Sequence, residues 1–180
     1  MAGKAKKTMR VGITGHQKLE SPANWEWVRS ELDRFLSSLP QPLIGISSLA
    51  VGADQLFATA ILAQDGALEI VVPFEGYEST FSEGDDRQAY LNLLYRASKV
   101  DVLKRHGTDE EAYFAAGKTL VDRSERIVAV WDGKPAGGLG GTGDVVAYAL
   151  ERTKPVVNIN PVTKRVLSVC SPPILPRTQR

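Results

Sequence analysis

The stretch Ile127-Val-Ala-Val-Trp-Asp-Gly-Lys-Pro-Ala-Gly-Gly-Leu-Gly-Gly-Thr-Gly-Asp144 decides the fold. Its first five residues, Ile127 to Trp131, are apolar without alternation, the pattern of a strand buried on both faces in a parallel sheet. Asp132 and Gly133 end the strand, and a loop with five further glycines follows. Val145-Val-Ala-Tyr-Ala-Leu150 then reads as an amphipathic helix. Strand, glycine loop and helix together present free backbone N–H groups to an anion. Glycine suits the loop because no Cβ blocks a ligand. Thr142 stands where a hydroxyl would cap the helix or donate to a phosphate. The loop matches neither the Walker pattern nor the dinucleotide fingerprint, so a plain surface loop is the alternative.

Working outward, the same unit repeats. Arg10 to Thr14 reads as a first strand with Gly15-His16-Gln17 as its exit, and Ser21-Pro22 supplies a helix N-cap and first position. Trp25, Val28, Leu32, Phe35, Leu36 and Leu39 recur at helical spacing. Leu43 to Ser47 is a second strand, and Ser48 to Asp54 its exit loop and the start of a helix that stops at Gly66. Leu68 to Val72 is a third strand. After an irregular connection, Asp85 to Ala97 is helical, with Tyr90, Leu93, Leu94 and Ala97 on one face. Val100 to Leu103 is a strand or a turn, and Thr108-Asp-Glu-Glu111 opens a helix with a capping box. Pro155 to Ile159 is a last strand. Strand–helix alternation of this kind predicts an α/β fold, a three-layer Rossmann-like arrangement with a central, mainly parallel sheet, helices on both faces and the first strand central.

The 180 residues suit a single domain over residues 10–160, with residues 1–9 as a disordered lead-in and 161–180 as a proline-bearing tail. The composition, 43% hydrophobic and 24% charged, is that of a soluble globular protein. A net charge of +1 gives no electrostatic case for nucleic acid or an anionic membrane, so neither is expected as a partner. The single cysteine, Cys170, excludes an internal disulfide. With no signal peptide and no spanning run, a cytoplasmic location is expected. No cluster of ligating side chains points to a metal, and no cofactor is expected.

In open α/β sheets, ligands bind beyond the carboxyl ends of the strands. Three exits carry glycine beside a hydroxyl or an ionisable group: Thr14-Gly15-His16, Ser48 to Asp54 with Gly52, and Asp132-Gly133 to Asp144 with Gly140, Gly141 and Thr142. His16 is either a ribose, phosphate or general-acid contact or a solvent-facing loop histidine. Asp54 and Asp144 both fall in first turns of helices, where they complement the dipole by about 0.3–1 kcal/mol or hold ribose hydroxyls. Arg123 is read as a phosphate or base contact, Arg126 as a surface ion pair. Trp131 and Phe74 are core residues or stacking platforms.

Together these residues resemble the SLOG superfamily of Rossmann-like proteins, which includes the Lonely Guy phosphoribohydrolases and the DNA-processing protein A family. Val11-Gly-Ile-Thr-Gly-His16 is similar to the first-strand motif. Ser48-Leu-Ala-Val-Gly-Ala-Asp54 is similar to the Ser-Gly-x-Ala-x-Gly-x-Asp segment of the DNA-processing proteins, and Gly140-Gly-Thr-Gly-Asp144 to the Gly-Gly-x-Gly-Thr-x-Glu segment of the phosphoribohydrolases. The resemblance implies a site for a nucleotide or nucleotide-derived ligand, and a homodimer for which the Tyr90–Ala97 helix is the candidate interface. The expected function is ligand binding or sensing. The alternative is an N-glycosidase acting on nucleoside 5′-monophosphates, with Asp144 and Arg123 catalytic, and a second alternative is a module handling single-stranded DNA. Trp131-Asp132-Gly133 replaces the proline–glycine entry of the phosphoribohydrolases, and Asp144 replaces a glutamate, one methylene shorter.

Overall fold

Runs of five or six apolar residues cannot bury both faces alone; they need helices above and below. In the computed structural model, which describes residues 8–169, seven strands form one sheet. In chain order they are β1 (Met9–Gly15), β2 (Leu43–Ser47), β3 (Ala67–Val72), β4 (Lys99–Val102), β5 (Arg126–Val130), β6 (Val156–Asn160) and β7 (Arg165–Val169). The helices are α1 (Asn24–Ser37), α2 (Ala53–Ala63), α3 (Asp85–Tyr95), α4 (Asp109–Arg123) and α5 (Thr142–Glu151), with a short 3-10 turn at Tyr77–Thr80. The strand order is β4-β3-β2-β1-β5-β6-β7. All pairs are parallel except β6 with β7, which is antiparallel. The fold is therefore the expected Rossmann-like three-layer α/β fold with β1 central.

Side chains alternate between two cores, as the pleat requires. On one face Val11, Ile13, Val128 and Val130 pack against Val28, Leu32 and Leu36 of α1 and Phe57 and Ile61 of α2. On the other, Ile46, Val71, Ile127 and Ala129 pack against Leu120 and Val121 of α4 and Val145, Val146 and Ala149 of α5. A third cluster beside β3 joins Leu68, Ile70 and Val72 to Phe74, Tyr77, Tyr90 and Leu93.

Several local expectations are corrected. Ser21 and Pro22 do not cap α1: they form the preceding turn, Asn24 N–H bonds the Ser21 carbonyl at 3.0 Å, and Ala23 is the N-cap. The residue in the left-handed region after α2 is Asp65 (φ 57°), not Gly66, whose N–H closes on the Ile61 carbonyl at 3.0 Å. The strand-or-turn at residues 100–103 is β4, and residues 165–169, read within a tail, form β7. Along the helix named as the candidate dimer interface, Tyr90 and Leu93 pack within the chain, at 1% and 7% exposed, while Leu91 and Tyr95 are exposed, at 39% and 91%. The Thr108–Glu111 capping box is present in both directions. Cys170 and the proline-bearing segment lie outside the described residues, as do residues 1–7. Among the described residues no helix is long and apolar enough to cross a membrane.

Candidate functional site

Strand order reverses between β1 and β5: the chain runs outward through β2, β3 and β4, then returns through α4 to β5 on the other side. Helices on either side of such a switch leave a crevice at the carboxyl ends of the strands. A cavity of about 710 Å³ opens there, at the exits of β1, β2, β3 and β5. That volume falls in the range of small-molecule sites.

The β1 and β5 exits are locked to each other. His16 N–H bonds the Val130 carbonyl at 3.0 Å, and His16 Nε2 accepts the Asp132 N–H at 3.1 Å. Asp132 Oδ1 lies 3.4 Å from the same nitrogen. Burial pushes the Asp132 carboxyl up. The Lys134 N–H, His16 and the Lys134 ammonium outweigh that and hold it below the usual carboxylate range. The first part of the glycine loop is also fixed: Trp131 Nε1–H donates to the Lys134 carbonyl at 2.7 Å, and Asn160 donates to the Asp132 carbonyl at 3.1 Å.

The β2 exit is built around Asp54. Its Oδ2 accepts the Ser47 hydroxyl at 3.0 Å and the Ser48 N–H at 3.1 Å. Burial is the largest influence on this carboxyl and raises it to about 6, against the opposing bonds from Ser47 and the loop N–H groups. Gly52 does not line the cavity. It sits beneath the first exit with φ 87°, and a Cβ there would stand 2.5 Å from the Gln17 carbonyl and 2.7 Å from that of His16. Only glycine lets the two exits cross so closely; the adjacent Ala53 N–H bonds the His16 carbonyl at 3.1 Å.

At α5 the N-cap is Gly141, with no side-chain cap, and Thr142 is the first helical residue. Gly140 N–H donates to Asp144 Oδ2 at 2.9 Å, and Gly141 N–H to the Gly138 carbonyl at 3.3 Å. The N–H groups of Thr142 and Gly143 have no acceptor among the described residues, as the start of a helix dictates. Both residues line the cavity.

Of the residues singled out from sequence, Thr14, Gly15, His16, Ser48, Asp54, Asp132, Gly140, Gly141 and Thr142 come together around the cavity; Gly52, Gly133, Asp144 and Arg123 do not line it. Asp144 is turned onto its own loop. Arg123 ends α4 before β5 begins, beside the amino-terminal part of the sheet. There its guanidinium pairs with Asp101 of β4, and its carbonyl accepts from Arg10 Nε at 2.9 Å. Arg10 in turn grips Glu69 with both terminal nitrogens, at 3.0 and 2.6 Å.

Sequence reading missed the aromatic wall. Tyr77, Phe81 and Tyr113 line the cavity together with the glycine loop. Tyr77 is at its centre, edge-on to Phe74 (5.7 Å), Phe81 (5.2 Å), Tyr90 (5.7 Å) and Tyr113 (6.0 Å). Burial, then the Asp54 charge, push the Tyr77 phenol up, so it stays a proton donor. Phe74 itself is core, with Arg105 over its ring at 4.7 Å. The signal available was aromatic density, with Phe74, Tyr77 and Phe81 within eight positions of a connection that otherwise reads as polar.

No family model and no curated protein matches this sequence. Among solved structures, the chain is similar to DNA processing protein A from Helicobacter pylori, described for its single-stranded DNA binding mode (TM-score 0.58, 14% identity, 83% of this chain and 64% of that one). It is also similar to DNA processing protein A from Streptococcus pneumoniae (TM-score 0.58, 15% identity, 84% and 50%). A third likeness is to the protein TM1055 (TM-score 0.52, 17% identity, 82% and 72%). At these identities the likeness is one of fold, and the chain spans less than two thirds of either DNA processing protein. One expectation falls. The near-neutral charge does not set nucleic acid aside, because a protein with this fold binds single-stranded DNA.

Proposed function

We propose that this chain, which has the Rossmann-like fold of the SLOG superfamily, binds a nucleotide or nucleotide-derived ligand in the cleft at the β1–β5 switch. One observation carries the reading. The N–H groups of Thr142 and Gly143, at the start of α5, are unpaired among the described residues, and both residues line the same cavity as Phe81, Tyr77 and Tyr113. Free N–H groups at a helix start suit a phosphate, and aromatic faces suit a base. Gly140 and Gly141, whose N–H groups already have acceptors, shape the loop instead. Asp54 and Tyr77 also line the cavity, a carboxyl and a phenol suited to ligand hydroxyls.

Binding is favoured over bond cleavage. The Asp144 carboxylate is occupied by the Gly140 N–H, and Arg123 is paired elsewhere. Calorimetry with AMP, inorganic phosphate and adenosine tests the reading: AMP should bind at least tenfold more tightly than either part, with no adenine released on incubation. Equal affinity for AMP and adenosine would sink the phosphate assignment, and adenine release would restore the glycosidase.

A second reading, single-stranded DNA, draws support from the fold of the Helicobacter pylori protein. A salt-dependent affinity for oligodeoxynucleotides would identify it.

A further inference from the structure

β4 is an edge strand: β3 pairs with one side of it, and no strand among the described residues pairs with the other. In a parallel pair, alternate residues turn their backbone groups toward the neighbour. Ser98 N–H bonds the Leu68 carbonyl at 2.8 Å. Ser98 and Val100 therefore serve β3, and the N–H and C=O groups of Lys99 and Asp101 point outward.

The side chains at this edge are sorted as well. Val100 and Val102 stand in register beside Ile70 and Val72, on the sheet face that α3 covers with Tyr90 and Leu93. Both valines remain exposed. Lys99 and Asp101 take the other face, where Asp101 pairs with Arg123 of α4. On α3, Leu91 and Tyr95 stand one turn apart on one flank. The opposite flank, with Ala89 and Asn92, borders a chamber shared with α1 and α2. Leu91 and Tyr95 thus lie on the side of the free edge, and both are exposed, Tyr95 at 91%.

An apolar edge with free backbone groups is a template for another strand, and the charges select which one. Laid antiparallel against its own copy with Val100 opposite Val100, β4 sets Lys99 against the partner's Asp101 and Asp101 against the partner's Lys99. These are the residues whose backbone groups point outward, so each opposed pair exchanges two N–H···O bonds. Val100 meets itself in the closely spaced position between them. Centring the pairing on Asp101 would instead set carboxylate against carboxylate. The other edge, β7, offers no such match: Val166 and Leu167 are consecutive and point to opposite faces, and Arg165–Val169 contains no acid.

We propose that two copies of this chain join through β4, antiparallel across a twofold axis normal to the sheet, and so double the seven-stranded sheet. The axis keeps both α3 helices on one face, where Leu91 and Tyr95 of each cover the valine seam. The pairing does not depend on what fills the cleft.

Sedimentation velocity over a concentration series tests it. The parent should form a dimer with a dissociation constant in the micromolar range. Because Val100 meets its own copy, Val100→Glu alone and Val100→Lys alone should each stay monomeric. An equimolar mixture of the two should dimerise, since opposite charges then face each other. Tyr95 is too exposed to hold its own chain together, and Tyr95→Ala should weaken the dimer by about tenfold. That variant carries the test if circular dichroism shows that the Val100 variants lose the fold. A parent that stays monomeric throughout overturns the proposal, as does a dimer that neither the charge variants nor Tyr95→Ala weakens. A mixture of folded charge variants that stays monomeric overturns it too.

Discussion

His16 Nε2 accepts the backbone N–H of Asp132 at 3.1 Å, tying the exits of β1 and β5 across the switch in strand order. His16→Ala leaves the Asp132 N–H without its acceptor and should cost about 1 kcal/mol of stability. Equilibrium urea denaturation reads it. An unchanged midpoint would show that water replaces the imidazole at no cost.

The Asp54 carboxyl has a folded-state pKa of about 6 against an ordinary 3.8. Between those values the folded protein holds the extra proton. The stabilising contribution is therefore complete below about pH 4 and lost as pH rises through about 6. The shift corresponds to a term on the order of 3 kcal/mol. Glu69, held low by Arg10, and Asp101, held low by Arg123, act in the opposite sense and only at more acid pH. Urea titrations from about pH 4 to pH 7 should show the parent losing stability upward through this window and Asp54→Asn losing much less. Parallel curves for the two proteins would count against a buried, shifted Asp54.

Asp144→Asn keeps an oxygen for the Gly140 N–H and removes a negative charge from the first turn of α5. Affinity for AMP should rise two- to fivefold, the equivalent of about 0.3–1 kcal/mol at a helix terminus. A fall in affinity would mean that the carboxylate itself touches the ligand.

Gly140 has φ 81°, and a Cβ there would meet the Glu110 carbonyl at 2.9 Å and the Phe114 backbone nitrogen at 3.0 Å. Gly140→Ala should therefore destabilise by about 1–3 kcal/mol. Gly138, with open space around it, should accept alanine without measurable change. Thermal unfolding of the two variants separates the positions, and equal midpoints would refute the close packing of the loop on α4.

The sheet was legible where apolar runs have sharp borders. β2 is found residue for residue, bounded by Pro42 and by the serines that follow. β4 was ambiguous because Lys99-Val-Asp-Val102 is short and its valines are exposed, at 41% and 55%. β7 went unseen because its turn has no glycine to announce it; Lys164 takes the positive φ instead. Glycine loops at strand exits exposed most of the cleft. Arg123 misled because sequence proximity to β5 says nothing about which end of the strand a residue meets: a residue before a strand meets its amino end, and the cleft is at the other. The aromatic wall needed the fold, since Tyr77, Phe81 and Tyr113 come from an irregular connection and a distant helix.

The central place of β1 also sets an order of assembly. Its partner β2 begins at Leu43, but its other partner, β5, begins only at Arg126. The half-sheet from β1 to β4 has all its pairings within the first 102 residues. The other edge of β1 waits for a far longer loop to close, and long closures are the slow ones. The cleft is lined by residues from both halves. A nascent chain therefore gains much of its sheet before the β1–β5 seam closes, and the cleft is complete only after that closure.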